Sequence, residues 1–295
     1  MFVSIVGEVE VDRPVALPVT HGEAMHAELL RRIAALDPGI AAQLHGEPDG
    51  SARPYTVSAL QVDRPVIREG KLYLETGAHA WFRLTGMGPL PSQALLALSE
   101  RTAQWYLKSF NMEFRIQRWC AFPSEHPWAG MTEMGALFES AWEAAGAEPG
   151  RVWLNFHSPT TFELSENRWG NWMHLPVPRL VFRNLRTRTR ECTPIAELPI
   201  AEEEDIIDNH IALGQFRQIS SHMLPFQKHG FRRAGFTGEC EFLFDRDLSE
   251  PARVWLHLLA NLAFYSGVGR ETTRGMGQVR REPAAKFSYR GHSKG

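Results

Sequence analysis

Eleven residues near the end of the chain, Gly267-Val-Gly-Arg-Glu-Thr-Thr-Arg-Gly-Met-Gly277, combine two Gly-x-Gly pairs with Arg270, Thr272, Thr273 and Arg274. Glycine lets the backbone take φ > 0 and come close to a ligand, leaving N–H groups free to meet an anion. Arginine adds donors whose planar fork matches phosphate. Gly267, Gly269, Gly275 and Gly277 with their flanking side chains therefore predict a loop that holds a phosphate-rich partner. A dinucleotide fingerprint is Gly-x-Gly-x-x-Gly after a strand and before a helix, whereas this loop follows a helix-like segment, residues 254–265. A Walker A loop needs Gly-Lys-Ser/Thr, which is absent. A loop resting on a polyanion such as RNA is the reading that remains, with a plain surface turn as its bland competitor.

The overall charge of −2 does not favour a nucleic-acid binder unless the basic groups cluster, and they do. Residues 265–295 hold seven Lys/Arg against two acids. Arg179, Arg183, Arg186, Arg188 and Arg190 form a second cluster, and balancing acids follow at Glu202, Glu203, Glu204, Asp205 and Asp208. Cys120, Cys192 and Cys240 are too far apart for a zinc motif and too few for a disulfide framework, which fits a reducing cytoplasm. No signal peptide is evident at the N-terminus, and the apolar run 254–265 is too short to span a bilayer. Neither a metal nor a cofactor is expected.

At 295 residues, 43% of them hydrophobic, the chain has room for about two domains. Val3, Ile5, Val9 and Val11 alternate as in a strand, and Met25, Leu29, Leu30 and Ile33 show helical spacing over 21–36. Strands are predicted at 54–62 and, as one alternating run, at 71–84; Pro91 opens a helix, and a strand follows at 112–122. This βαββαβ order is ferredoxin-like, the order of RRM-type RNA binders, although no RNP1 aromatic motif occurs. Ala, Gly and Pro cluster at 145–150 and mark a boundary. Beyond it come a strand at 152–156, a less regular Arg- and Pro-rich region at 159–200, an acid-led helix at 201–213, a hairpin over 215–245 with Lys228 to Gly230 near its tip, a helix at 252–265 and the glycine loop. The expected architecture is α+β: two tandem ferredoxin-like domains, 1–145 and 150–295, with the glycine-rich loop in the second.

Phe264-Tyr-Ser-Gly-Val-Gly-Arg-Glu-Thr-Thr-Arg-Gly-Met-Gly-Gln278 resembles the glycine-rich loop of the RAMP superfamily. Leu17-Pro18, Gln43-Leu-His45, Arg53-Pro-Tyr-Thr-Val-Ser58, Phe156-His-Ser-Pro-Thr-Thr-Phe162 and Leu175-Pro-Val-Pro-Arg-Leu-Val-Phe182 extend the likeness over both halves, and narrow it to the CRISPR repeat-RNA endoribonucleases. The resemblance implies an enzyme that binds the repeat of a CRISPR precursor transcript and cuts it without a metal. The 2′-hydroxyl attacks the adjacent phosphate, leaving a 2′,3′-cyclic phosphate and a 5′-hydroxyl. A CRISPR interference complex and a second copy of the chain are the further partners expected. The alternative is a non-catalytic RNA-binding subunit of a CRISPR ribonucleoprotein.

Such a reaction needs a base for the 2′-hydroxyl, an acid for the leaving 5′-oxygen and a cation for the phosphorane charge. Histidine suits proton transfer, but with twelve of them its presence alone selects none. The resemblance implies His45 as the catalytic histidine. Arg53 matches a position where some members carry a lysine at the scissile phosphate; arginine can offset charge there but is a poor acid. Some members place a tyrosine on the first helix where this chain has Leu30, so the acid is left unassigned. His26 is the main substitute, with a packing role as its competing reading, and His21 reads as structural. Arg270, Thr272, Thr273, Arg274 and the four glycines, then Arg183, Arg186 and Arg188, are the expected RNA contacts.

Overall fold

The computed structural model describes residues 1–45, 52–164, 172–193, 200, 202–225 and 232–283, excluding the side chains of residues 45, 225, 232 and 233. The N-terminal half runs β1 (Phe2–Glu10), β2 (Val15–Pro18), α1 (Gly22–Leu36), α2 (Pro38–His45), β3 (Tyr55–Val57), β4 (Val66–Arg68), β5 (Lys71–Leu74), β6 (His79–Met87), α3 (Pro89–Arg101), β7 (Gln104–Leu107), β8 (Met112–Cys120), β9 (Gly130–Thr132) and α4 (Met134–Ala147). Its main sheet has the order β3-β6-β1-β8-β7, with β9 also paired to β1. The units β1-α1-β3-β6-α3-β8 thus give the 2-3-1-4 strand order of a ferredoxin-like fold.

Alternation on β1 sorts its side chains as expected. Val3, Ile5 and Val9 pack with Met25, Leu29 and Ile33 of α1 and Leu95 and Leu98 of α3. Phe2 and Val6 point the other way, into separate clusters. The single strand expected over 71–84 is two strands in two sheets. Gly77 turns the chain at φ +79, and β5 joins β2 and β4 in a three-stranded sheet while β6 enters the main one. The apolar alternation happens to continue across that turn, which is why periodicity alone merged them.

The C-terminal half runs β10 (Arg151–Thr160), β11 (Phe162–Glu163), β12 (Trp172–Met173), α5 (Pro178–Cys192), α6 (Glu203–Asn209), β13 (Ile211–Pro225), β14 (Arg232–Phe244), α7 (Glu250–Ser266) and β15 (Val279–Glu282). Its sheet, β13-β14-β10-β15, repeats the 2-3-1-4 order with α5 and α7 as crossovers. The hairpin tip at Lys228 to Gly230 lies outside the described residues. The region expected to be irregular contains α5, an amphipathic helix. Val181, Phe182, Leu185 and Thr189 are buried on one face, while Arg183 and Arg190 are exposed on the other.

The two halves share more than a linker. Leu137, Ala141 and Ala145 of α4, which lies before the expected boundary, pack in the same core as β10, α5 and α7, together with Phe2 and Met87. Arg83 on β6 is 1% exposed and bridges the halves. Its guanidinium donates to Ser4 Oγ at 2.7 Å, Gln278 Oε1 at 2.9 Å and the Phe264 carbonyl, and lies 4.1 Å from the Phe264 ring centroid. All three cysteines are free and buried. Among the described residues, no helix is long and apolar enough to cross a membrane.

Candidate functional site

The glycine loop leaves α7 at Gly267 and crosses the seam between the halves before entering β15. Its shape demands glycine where other backbone is closest. Gly269 has φ +84, and a Cβ there would lie 2.4 Å from the Thr161 carbonyl oxygen; at Gly277, with φ +68, it would lie 2.2 Å from the Val268 oxygen. The loop is pinned to both halves. Arg270 N donates to Thr161 O at 3.0 Å and Gly277 N to Pro159 O at 3.0 Å, while Gly269 N donates to Asn184 Oδ1 on α5 at 2.7 Å. Toward the other half, Gly275 N donates to Val57 O at 2.9 Å and Val57 N to Thr272 O at 3.1 Å. Most loop N–H groups are therefore spent inside the protein, rather than left free as the glycine content suggested. The N–H groups of Thr272 and Thr273, at the loop apex, have no partner among the described residues.

Beside the apex lies a cleft of about 320 Å³, lined by Arg53, Arg188, Arg270, Arg274, Thr272 and Thr273 among others. Arg270 pairs with Glu163, and Arg274 Nη1 lies 3.0 Å from Glu271 Oε2. Arg188 differs from these two. It is 5% exposed, its Nη2 donates to Arg53 O at 3.4 Å, and its Nε has no hydrogen-bond partner among the described residues. Burial lowers its pKa from the usual arginine value, and neighbouring Glu191 only partly counters this. Glu163, Glu191 and Glu271 also line the cleft, but a buried guanidinium with an open donor among four arginines is a site suited to an anion.

Arg53 reaches the C-terminal end of α2. Arg53 Nη1 donates to the Leu44 carbonyl at 2.8 Å, placing a cation at the negative end of the helix. His45 is the last residue of that helix; its side chain lies outside the described residues. His26, half-buried on α1, has Nε2 2.9 Å from the Tyr55 hydroxyl, with the ring centroids 5.9 Å apart and 26° between planes. Tyr55 comes from β3 and is 2% exposed. Burial pushes its pKa up to about 12, against the pull of Arg53 and Arg274. Thus a tyrosine does stand beside α1, supplied by the strand rather than by the helix position that Leu30 occupies. Sequence spacing could not have found this pair, because the contact crosses 29 residues.

His21 is held as a neutral structural group. Leu60 N donates to its Nε2 at 2.8 Å, so Nδ1 carries the proton and donates to Pro18 O at 2.7 Å; burial lowers its pKa to about 4. The α5 arginines divide. Arg188 faces the cleft, whereas Arg183 pairs with Asp208, Arg186 with Glu204 at 3.1 Å, and Arg190 with Glu203, all acids on α6 or at its start. Arg183 and Arg186 are thus each paired with an acid, as Arg270 and Arg274 are, but they do not line the cleft.

Residues 154–279 match the family model described as CRISPR-associated endoribonuclease Cas6. No curated protein matches the chain. Among solved structures, a Cas6 (TTHB231) product complex is 24% identical and superposes with a TM-score of 0.74, covering 96% of this chain and 100% of the other. A Cas6 (TTHA0078) substrate mimic complex is 23% identical, with a TM-score of 0.64 over 95% and 99%. A Cas6-related protein from Pyrococcus furiosus is 13% identical, with a TM-score of 0.62 over 96% and 99%. Over residues 154–279 the chain therefore matches the model of the CRISPR-associated Cas6 endoribonucleases, and its fold is similar to that of Cas6 structures along nearly its whole length.

Proposed function

We propose that the chain is a metal-independent endoribonuclease that binds CRISPR repeat RNA in precursor transcripts and cuts it by 2′-hydroxyl attack on the adjacent phosphate. The products are a 2′,3′-cyclic phosphate and a 5′-hydroxyl, and the released guide RNA passes to an interference complex. The Cas6 domain supports repeat processing. The observation that carries the reading is the gathering of Arg53, Arg188, Arg270 and Arg274 in one cleft between the halves, one of them buried with an open donor. The guanidinium groups supply the positive charge that the five-coordinate phosphorus requires.

His45 is assigned the 2′-hydroxyl proton, from the end of the helix that Arg53 abuts. His26, held by Tyr55, is assigned the leaving 5′-oxygen. Each proton transfer is worth about 10²–10⁴-fold in rate. Arg270, Arg274 and the apex N–H groups grip phosphates and set register without reading sequence.

Repeat RNA incubated with the protein in EDTA should be cut once per repeat, and a 2′-deoxy nucleotide before the cut should abolish cleavage. His45→Ala should slow cutting at least about a hundredfold while RNA stays bound. Undiminished cutting of the deoxy substrate refutes the mechanism. Tight binding with no cutting by the wild type supports the non-catalytic subunit instead.

A further inference from the structure

Arg274 lines the arginine cleft and also a second cavity of about 490 Å³ on the other side of Gly275. This second cavity lies in the seam. Leu60 and Ile67 come from the N-terminal half, Met223 and Leu224 from the β13 hairpin arm, and Met276 from the glycine loop. Ile67 is 56% exposed and Met223 60%, so large apolar side chains stand open at its rim. Polar groups also line the cavity, among them Gln61, whose Nε2 donates to Ala59 O at 3.2 Å, and His222, whose Nε2 lies 2.8 Å from Thr237 Oγ1. His157, also on the wall, stacks near Trp81 with centroids 5.9 Å apart and 21° between planes.

This combination is specific in its chemistry. A largely apolar wall carrying several hydrogen-bonding groups, with an adjoining aromatic stack, suits a flat aromatic ligand with a hydrogen-bonding rim. The shared Arg274 places a cation where that ligand meets the arginine cleft. A phosphate on Arg274 would leave its own or a neighbouring base at the mouth of the cavity. A base inside a stem cannot enter, because its edge is paired and its faces are stacked. We infer that the seam cavity receives the base of an unpaired nucleotide of the bound RNA, next to the phosphate gripped by Arg274. The inference rests on the RNA reading above and adds a base-recognition site to it.

The test uses repeat RNAs in which each nucleotide in turn is abasic with the phosphodiester chain intact. Filter binding is measured with wild type, Ile67→Asp and Met223→Asp, all three checked by thermal melting. For the wild type, one or two adjacent abasic positions outside any stem should weaken binding about tenfold or more. The Asp variants should bind intact RNA weaker by a similar factor, and should lose nothing further at those abasic positions. Independent losses that multiply, or Asp variants that bind intact RNA like wild type, overturn the cavity assignment alone. Failure of the wild type to bind any repeat RNA overturns the RNA reading and this inference with it.

Discussion

Replacing Gly269 with alanine measures how tightly the loop is wedged between the halves. Two costs follow from its geometry. A non-glycine residue at φ +84 carries about 1–2 kcal/mol of backbone strain. The new Cβ would also lie 2.4 Å from the Thr161 oxygen, inside even the 3.0 Å that real contacts keep, so the loop and β10–β11 must separate. Separation breaks the 3.0 Å bond from Arg270 N to Thr161 O and loosens the 2.7 Å bond from Gly269 N to Asn184, each worth about 1 kcal/mol. The sum is about 3–4 kcal/mol, a fall in Tm of about 5–6 °C for a chain of this size. Thermal unfolding should be compared with Gly135→Ala and Gly146→Ala. Both glycines lie in α4 with nothing within 4 Å of a built Cβ, so alanine should stabilise there by up to about 1 kcal/mol. A Gly269→Ala protein melting within about 1 °C of wild type would refute the wedge. Binding of repeat RNA should fall alongside, because Arg270 and the loop apex move with the backbone.

Three further outcomes are expected. Arg188→Met should leave Tm unchanged or raised, since a buried cation with an unpaired Nε is removed, yet weaken RNA binding and lower its salt slope by about 1; unchanged binding removes Arg188 from the phosphate site. Tyr55→Phe should slow single-turnover cleavage about tenfold at unchanged RNA affinity, the cost of one hydrogen bond that holds His26, and a wild-type rate would detach Tyr55 from the reaction. Glu28 is 3% exposed, and burial alone would raise its pKa, but bonds from Arg31, Arg32 and Tyr106 N hold it below the usual 4.5. Its contribution is therefore present above that pH and lost as pH falls through the lower folded value. Glu28→Gln should be less stable at pH 7 and flatter across the acid limb of a denaturation series; an unchanged acid limb would contradict the assignment.

Local pattern carried most of the architecture. Alternation on β1 and helical spacing on α1 are signals within a few residues, and the strand–helix order follows from such patterns, whereas α4, before the boundary expected at 145–150, packs in the core of the C-terminal half. What stayed hidden depends on distant partners. The arginines of α5 looked available because the acids that pair with Arg183, Arg186 and Arg190 lie a dozen or more residues on, in α6. Tyr55 could not be tied to His26 before the topology put β3 beside α1. The loop's glycines were read as ligand-facing, whereas the contacts of Gly269 and Gly277 are with the protein's own carbonyls.

The pairing of Arg270 with Glu163 and of Arg274 with Glu271 gives the cleft its own resident counterions. A phosphate that takes either arginine leaves that arginine's tethered carboxylate beside it, so the site as a whole neutralises little of the RNA's charge and frees few of the cations condensed on it. Each such contact contributes little to the entropy of ion release that usually drives binding to polyanions. The salt dependence of RNA affinity should accordingly undercount the arginines that touch it. Random polyanions, unable to recover the lost glutamate contacts through shape, would gain least from this surface, which suits the proposed role of selecting one RNA among many with a protein of net charge −2.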